Sequence, residues 1–223
     1  MGIAPLLVAV QARGEVAGWG VGGLMVLTGM FTIMSGLYGA LVQPALAESM
    51  AHIRRGSLDY LLLRPVDSMI SCLTSMYSPW RILETLVGIG LVAYGVHREG
   101  VFAWRSLALG GSLGVLGVII LYAMGVLMLA ASFRALRLEN LTFMLEAMLD
   151  FGRWPLGVFR GLLKAFFTFM FPLAVLTTFP AEAILGRLEA GTLTVASAIA
   201  LAFAVVARLA WIRGIRSYTS ASS

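Results

Sequence analysis

Charge is scarce in this chain. Asp, Glu, Lys and Arg make up 12% of 223 residues, against 60% hydrophobic residues, whereas a soluble domain carries about 25% charged and about 45–50% apolar residues. So little polar surface cannot cover a globule in water, which excludes a soluble domain and points to lipid as the solvent. Cysteine is reduced to Cys72 alone, so neither an internal disulfide nor a paired-cysteine metal site is available. Period-two alternation is missing, which excludes a transmembrane barrel. The one lysine, Lys164 in RGLLKAF, lacks an upstream phosphate-cradling glycine loop. His52 and His97 have no Cys or His at ligand spacing, and Ser35 in MSGLYG is not in a nucleophile elbow. The chain therefore reads as no enzyme, with no cofactor bound directly and no metal site.

What the sequence does contain is long apolar runs. No charged side chain lies between Glu15 and Glu48, between Arg105 and Arg134, or between Glu189 and Arg208. A helix crossing the hydrocarbon core needs roughly 20 mostly apolar residues, and helices satisfy their own backbone groups where water is absent. Spans are expected over 20–46, 106–133 and 192–212, with a shorter one over 165–178. A less regular one covers 69–96, interrupted by Pro79, Arg81 and Glu84. Residues 1–12 are too few to span and carry no basic n-region of a signal peptide. The fold class is all-α, a polytopic membrane helix bundle. The net charge of +5 sits at the ends of apolar runs rather than along one polar face, which argues against nucleic acid.

Alternating the spans sets twelve of the sixteen cations on one side, among them Arg54, Arg55, Arg153, Arg160 and Lys164. That side is expected to be cytoplasmic. Gly110, Gly111, Gly114, Gly117 and Gly125 give one span a small-residue edge, read as close packing within the bundle, with a dimer seam as the alternative. Glu146 and Asp150 share a helix face near Arg153. They are expected on the solvated cytoplasmic surface, and become functional-site candidates if they enter the membrane. Glu182 is either an exit-vestibule or a turn residue. No other charged residue sits clearly mid-span to announce an ion or sugar site.

The stretch HIRRGSLDYLLLRPVDS, residues 52–68, puts three arginines and two aspartates between apolar runs. On a helix, Ile53, Leu58, Leu61 and Leu62 form an apolar stripe, with Glu48, His52, Arg55 and Asp59 mostly opposite. Such a segment lies on the membrane surface or offers its polar face to a partner; a loop that only fixes topology is the plainer reading.

Four blocks bear a resemblance. IRRGSLDYLLLRPV (53–66) resembles the IRRGELDFYLLRPL signature of a permease family in the type-2 ABC exporter superfamily. LDFGRWPLGVF (149–159) is similar to its Phe-Gly-Arg-Tyr-Pro-Leu block. FPLAVLTTFPAEAILGR (171–187) is similar to its proline-marked penultimate region, and RLAWIRGIRSYTSASS (208–223) to its ending. Ser57 stands where the family commonly has glutamate, and GEVAGW (14–19) matches the outer loop between its first two spans.

The resemblance implies a single permease domain over 1–223 with about five full spans plus a truncated first one, residues 1–12 being only its outer end and the chain continuing upstream. It implies a cytoplasmic coupling segment at 47–66 and a flexible polar tail at 213–223. The coupling segment would dock a separate ATP-binding ABC subunit through Arg54, Arg55, Gly56, Leu58, Asp59, Tyr60, Leu61, Leu63, Arg64 and Pro65. Leu58, Tyr60 and Leu61 would be the apolar anchors, Arg54 and Arg55 the rim charges. The implied function is a multi-pass permease of the bacterial inner membrane, driven by ATP on the partner and paired with a second, identical or related permease. It would move a hydrophobic or amphipathic substrate outward. The alternatives are a non-transport scaffold and a membrane-embedded enzyme, the latter needing polar catalytic groups clustered at one depth.

Overall fold

The computed structural model describes residues 15–59, 63, 65–133 and 141–216. Their regular structure is helical, apart from an isolated bridge between Val16 and Trp19. In chain order the helices are α1 (Val21–Arg55), α2 (Ser68–Leu73), α3 (Ile82–Glu99), α4 (Trp104–Ser132), α5 (Leu141–Leu149), α6 (Leu162–Met170), α7 (Ala174–Ile184) and α8 (Thr192–Ile215). Three of them, α1, α4 and α8, are long and apolar enough to cross a membrane. This is the all-α bundle expected from composition.

Helix α1 is the axis. Its 35 residues extend about 52 Å at 1.5 Å per residue, well beyond a hydrocarbon core of about 30 Å. It has two ends, the basic end at Arg55 and the far end at Val21. Helix α3 runs antiparallel to it at a separation that only glycine permits. A Cβ on Gly29 would lie 2.8 Å from the Gly88 carbonyl oxygen, and one on Gly88 2.7 Å from that of Gly29. A Cβ on Gly95 would lie 2.7 Å from the Gly22 carbonyl oxygen, and one on Gly36 2.7 Å from the Thr85 nitrogen. Gly22, Gly29 and Gly36 recur every seven residues, as do Gly88 and Gly95, the repeat that keeps one seam facing its partner along two helices. Lipid supplies no hydrophobic drive for helices to associate, so close backbone packing carries the contact.

A proline makes the second attachment to α1. Pro44 has no N–H, and its ring crowds the carbonyl four residues back. That carbonyl belongs to Ala40, inside a π-helical turn at Tyr38–Val42. It accepts instead from the Ser78 backbone N–H at 2.8 Å. Nearby, the Ser49 hydroxyl donates to the Cys72 carbonyl at 3.1 Å and the Ser75 hydroxyl to the Ala45 carbonyl at 3.4 Å. Residues 68–99 therefore return along α1 as one antiparallel path, broken at Pro79.

The glycines of α4 pack within the bundle. A Cβ on Gly110 would meet the Pro180 carbonyl and Ile184, one on Gly117 the Leu176 backbone, and one on Gly125 Leu46 and Val42. Gly111 alone faces open space. Helix α8 packs on α4 through Ala196, Ala200 and Ala207, leaving Leu201, Val205 and Val206 exposed, as a lipid-facing helix requires.

The expected span at 165–178 is not a single helix. Helices α6 and α7 meet at a 71° bend around Pro172, which cannot continue an N–H ladder. The bend is buried from Phe171 to Thr178, so its irregular backbone is enclosed by protein, the condition for such a break at membrane depth.

Two glycine substitutions separate seam from surface. Gly88→Leu should lower the melting temperature of the detergent-solubilised protein, an overpacking cost of at least about 1–3 kcal/mol. Gly90→Ala, where a Cβ meets nothing within 4 Å, should raise it by about 0.5–1 kcal/mol through helix propensity. Equal melting temperatures for the two variants would contradict the seam.

Candidate functional site

The basic end of α1 closes with a left-handed glycine. Gly56 has φ 67°, its N–H bonds to the Ile53 carbonyl at 3.2 Å, and that of Ser57 to His52 at 3.0 Å, a glycine C-cap geometry. His52 is held on both ring nitrogens, by Glu48 at 3.2 Å and by the Ser57 hydroxyl at 2.9 Å. His52, Arg54 and Arg55 occupy the last turn, where cations complement the helix dipole.

The turn at Gly56 changes which residues face outward. Leu58 folds back into the core and is fully buried with Ile53 beneath it, so it is not on a surface that a partner can touch. Further on, the Leu63 N–H bonds to the Asp59 carbonyl at 2.9 Å. Arg54, Arg55, Leu63, Pro65 and Val66 are exposed, Leu63 to 82%. Gly56 and Asp59 are half-buried. Tyr60, Leu61 and Arg64 lie outside the described residues. The stripe read as a single helix is thus split, because glycine ends α1 before the leucines.

Beyond this segment, Asp67 ties it to the last helix. Its carboxylate caps α2 by accepting from Met69 N–H at 2.9 Å and Ile70 N–H at 3.4 Å. The same carboxylate takes both guanidinium nitrogens of Arg208, at 2.9 and 2.7 Å. The Trp211 indole donates to the Ser68 hydroxyl at 3.1 Å, while its ring is buried edge-on against Phe133 at 5.7 Å. The Arg208 hydrogen bonds hold the Asp67 carboxyl below its ordinary value, with the α2 backbone N–H groups adding to them against a small burial cost.

A second polar feature lies halfway along α1. A cleft of about 440 Å³ is lined by Thr28, Thr32, Ser35 and Tyr38 of α1, by Arg81 and Glu84 at the start of α3, and by Glu146, Asp150 and Arg153. Arg81 pairs with Glu84 at 3.1 Å and Arg153 with Asp150 at 2.7 Å. Gln43 reaches Glu146 at 3.5 Å, and the Arg153 guanidinium lies 4.8 Å from the centre of the Phe31 ring. Glu146, Asp150 and Arg153 were expected on the cytoplasmic surface. The structure sets them beside the middle of α1, because residues 141–157 climb it from Gln43 past Phe31 to Ala17, against which a Cβ on Gly157 would rest at 3.4 Å.

Arg160 and Lys164 follow that climb. Lys164 lies within electrostatic reach of Glu182 on α7. Both cations therefore belong with the far end of the bundle, and the basic excess at the Arg55 end is smaller than the sequence implied. At the far end Glu99 accepts from Gly23 N–H at 2.9 Å and from Arg187 at 3.2 Å, a carboxylate on the N-terminus of α1. A Cβ on Gly22 would strike it at 2.6 Å.

The family model described as ABC-2 family transporter protein matches residues 3–222. The chain belongs to that family. As an ABC-2 permease it is a transporter component rather than an enzyme in its own right, a membrane protein with several spans that works with an ATP-binding ABC subunit. No curated protein and no solved structure matches it. For an ABC-2 transporter, the sequence marked the charged segment that follows α1. It missed the Asp67–Arg208 pair, which spans 141 positions without any local signal. It also missed the cleft, whose signal was the interruption of an apolar run by Arg81 and Glu84.

The Asp67–Arg208 pair has a definite pH signature. A carboxyl held low contributes stability that is complete above its unfolded value, about 3.8, and is lost only as pH falls through the still lower folded value. Protease nicking of 56–67 should therefore stay constant from neutral pH down to about 4 in the wild type. Arg208→Gln should nick faster throughout, and the swap Asp67→Arg with Arg208→Asp should restore part of the protection, the α2 cap being lost with the carboxylate at position 67.

Proposed function

We propose that this chain is the membrane-spanning half of an ABC exporter, driven by a separate ATPase that docks on the surface made by Arg54, Arg55, Leu63, Pro65 and Val66. The observation that carries this reading is the continuity of α1. One unbroken 35-residue element leads from the exposed dibasic end to the wall of the polar cleft, so displacement of its end is displacement of the wall. The segment after it is fixed to the bundle at two points, Leu58 in the core and Asp67 on Arg208. A partner pushing on Arg54, Arg55 and Leu63 therefore moves α1 and α8 together.

Five passes fit the contacts along α1: α1 itself, residues 68–99, α4, residues 141–158 and α8. The docking end faces the cytoplasm of a bacterial inner membrane, and a second permease, identical or related, completes the path. The cleft supplies that path with paired charges and threonine hydroxyls on one wall and apolar residues such as Val87 and Leu91 on the other. It suits an amphipathic substrate, whose polar part meets Glu146, Asp150 and Arg153 while its apolar part stays against α3. Ionisable groups at membrane depth are costly and mark such pathways.

Two sets of variants test the two halves of this reading. Arg54→Glu with Leu63→Asp should cut ATPase co-purification about tenfold or more, since truncating interface anchors costs upwards of 1.4 kcal/mol, and leave the melting temperature of the permease unchanged. Leu58→Ala should instead lower that temperature, by about 2–5 kcal/mol of stability. Undiminished complex with the first pair would remove the docking assignment. Separately, Glu146→Gln and Arg153→Gln should reduce transport in vesicles while leaving ATPase binding intact; wild-type transport by both would remove the cleft from the pathway.

A further inference from the structure

Helices α3 and α4 are joined by only residues 100–103, yet they do not pack along their lengths. α3 is drawn onto α1 by the glycine seam, and α4 onto α1, α7 and α8. What lies between them is a groove. Its inner part, about 330 Å³, is floored by Met30 and Met34 of α1 and walled by Ile89, Gly110, Gly111 and Gly114. Its outer part, about 530 Å³, runs past Val96 to His97, Gly100 and Phe102 at the far end. The two parts share Ile89, Val92 and Leu107, so they form one channel along α3.

We propose that this groove holds one acyl chain of an anionic phospholipid from the leaflet at the far end, with its headgroup at Arg98 and Arg105. Three observations converge on that occupant. The lining is apolar, with His97 at the mouth its one ionisable member. From Ile89 to Gly100 the groove runs about 17 Å along α3, close to one leaflet of a hydrocarbon core about 30 Å thick. The mouth has the chemistry of an interface: Phe102 and Trp104, both exposed, stack edge-on at 5.3 Å, as aromatic residues do at headgroup level. Arg98 and Arg105 are exposed and make no ion pair among the described residues. The neighbouring acid, Glu99, is already engaged by Gly23 and Arg187. The local field at the mouth is therefore positive, and a phosphodiester answers it.

The groove is apolar along its length and basic only at its mouth, the distribution of an acyl chain beneath an anionic headgroup. A single hydrocarbon chain fits a groove of this kind, and the flexible methionines of the floor adapt to its kinks. The glycines of α4 open the space: a side chain at Gly111 would project into it with nothing within 4 Å to oppose its Cβ.

Gly111 therefore gives a test that does not disturb folding. The full chain is reconstituted in nanodiscs of phosphatidylcholine doped with phosphatidylglycerol, released into detergent, and the retained lipid is counted by native mass spectrometry. Wild type should retain one phosphatidylglycerol in preference to phosphatidylcholine. Gly111→Phe should lose it, and Gly90→Phe, an equally unopposed glycine of α3 outside the groove lining, should keep it. Arg98→Gln with Arg105→Gln should keep a bound lipid but lose the headgroup preference, by about fivefold for each arginine. Retention of the lipid by Gly111→Phe overturns the groove assignment. No preference for phosphatidylglycerol in the wild type overturns the headgroup assignment. A shift of Gly111→Phe from dimer to monomer mass overturns both in favour of a second copy of the chain. None of these outcomes bears on ATPase docking, which is read separately by co-purification.

Discussion

Hydrocarbon offers no hydrogen bonds, so every backbone polar group at membrane depth must find its partner inside the protein. The architecture around α1 follows from that constraint. Pro44 frees one carbonyl in the middle of the helix, and the Ser78 N–H takes it, which fixes where the returning chain must cross. From that crossing, α3 can lie against α1 only because glycines face each other at Gly29 and Gly88 and at Gly22 and Gly95. Buried Thr28 and half-buried Thr32 on the cleft side are satisfied within their own helix, Thr32 donating to the Thr28 carbonyl and Thr28 to that of Leu24, so both hydroxyls keep a partner away from water.

The same axis serves the candidate machinery at both of its depths. At the Arg55 end, a surface with two arginines and a protruding leucine is backed by buried Leu58 and by the Asp67–Arg208 clamp. Halfway along, charges are arranged in local pairs, Arg81 with Glu84 and Arg153 with Asp150, which lowers the cost of holding them away from bulk water. On the proposed reading, one axis connecting a charged handle with a charge-lined wall would link a nucleotide cycle on the partner to the cleft.

Much of this was legible before any coordinates. Apolar run lengths gave α1, α4 and α8, and charge punctuation marked the segment at Arg54 and Arg55. Less was legible where a single residue overrides a pattern. Gly56 stops α1 and sends Leu58 inward, although a helical wheel puts Leu58 in the same stripe as Leu61. Pro172 splits a run that is apolar enough to pass as a span. The seven-residue glycine repeat of α1 is as plain in the sequence as the glycines of α4, and both sets are packing positions except for Gly111. Pairs such as Asp67 with Arg208, or Gln43 with Glu146, have no one-dimensional signature, since they depend on which passes become neighbours.

The bend at Pro172 has a consequence for parity. A straight helix over 162–184 would run about 34 Å and carry the chain from one face of the bundle to the other. Bent by 71°, the pair starts beside Glu182 and ends beside Gly23, both at the far end, and so adds no net crossing. Only with that even count does α8 begin where it must to bring Arg208 down beside Asp67. One imino ring in the middle of the chain thus selects which arginine meets which aspartate some forty residues later.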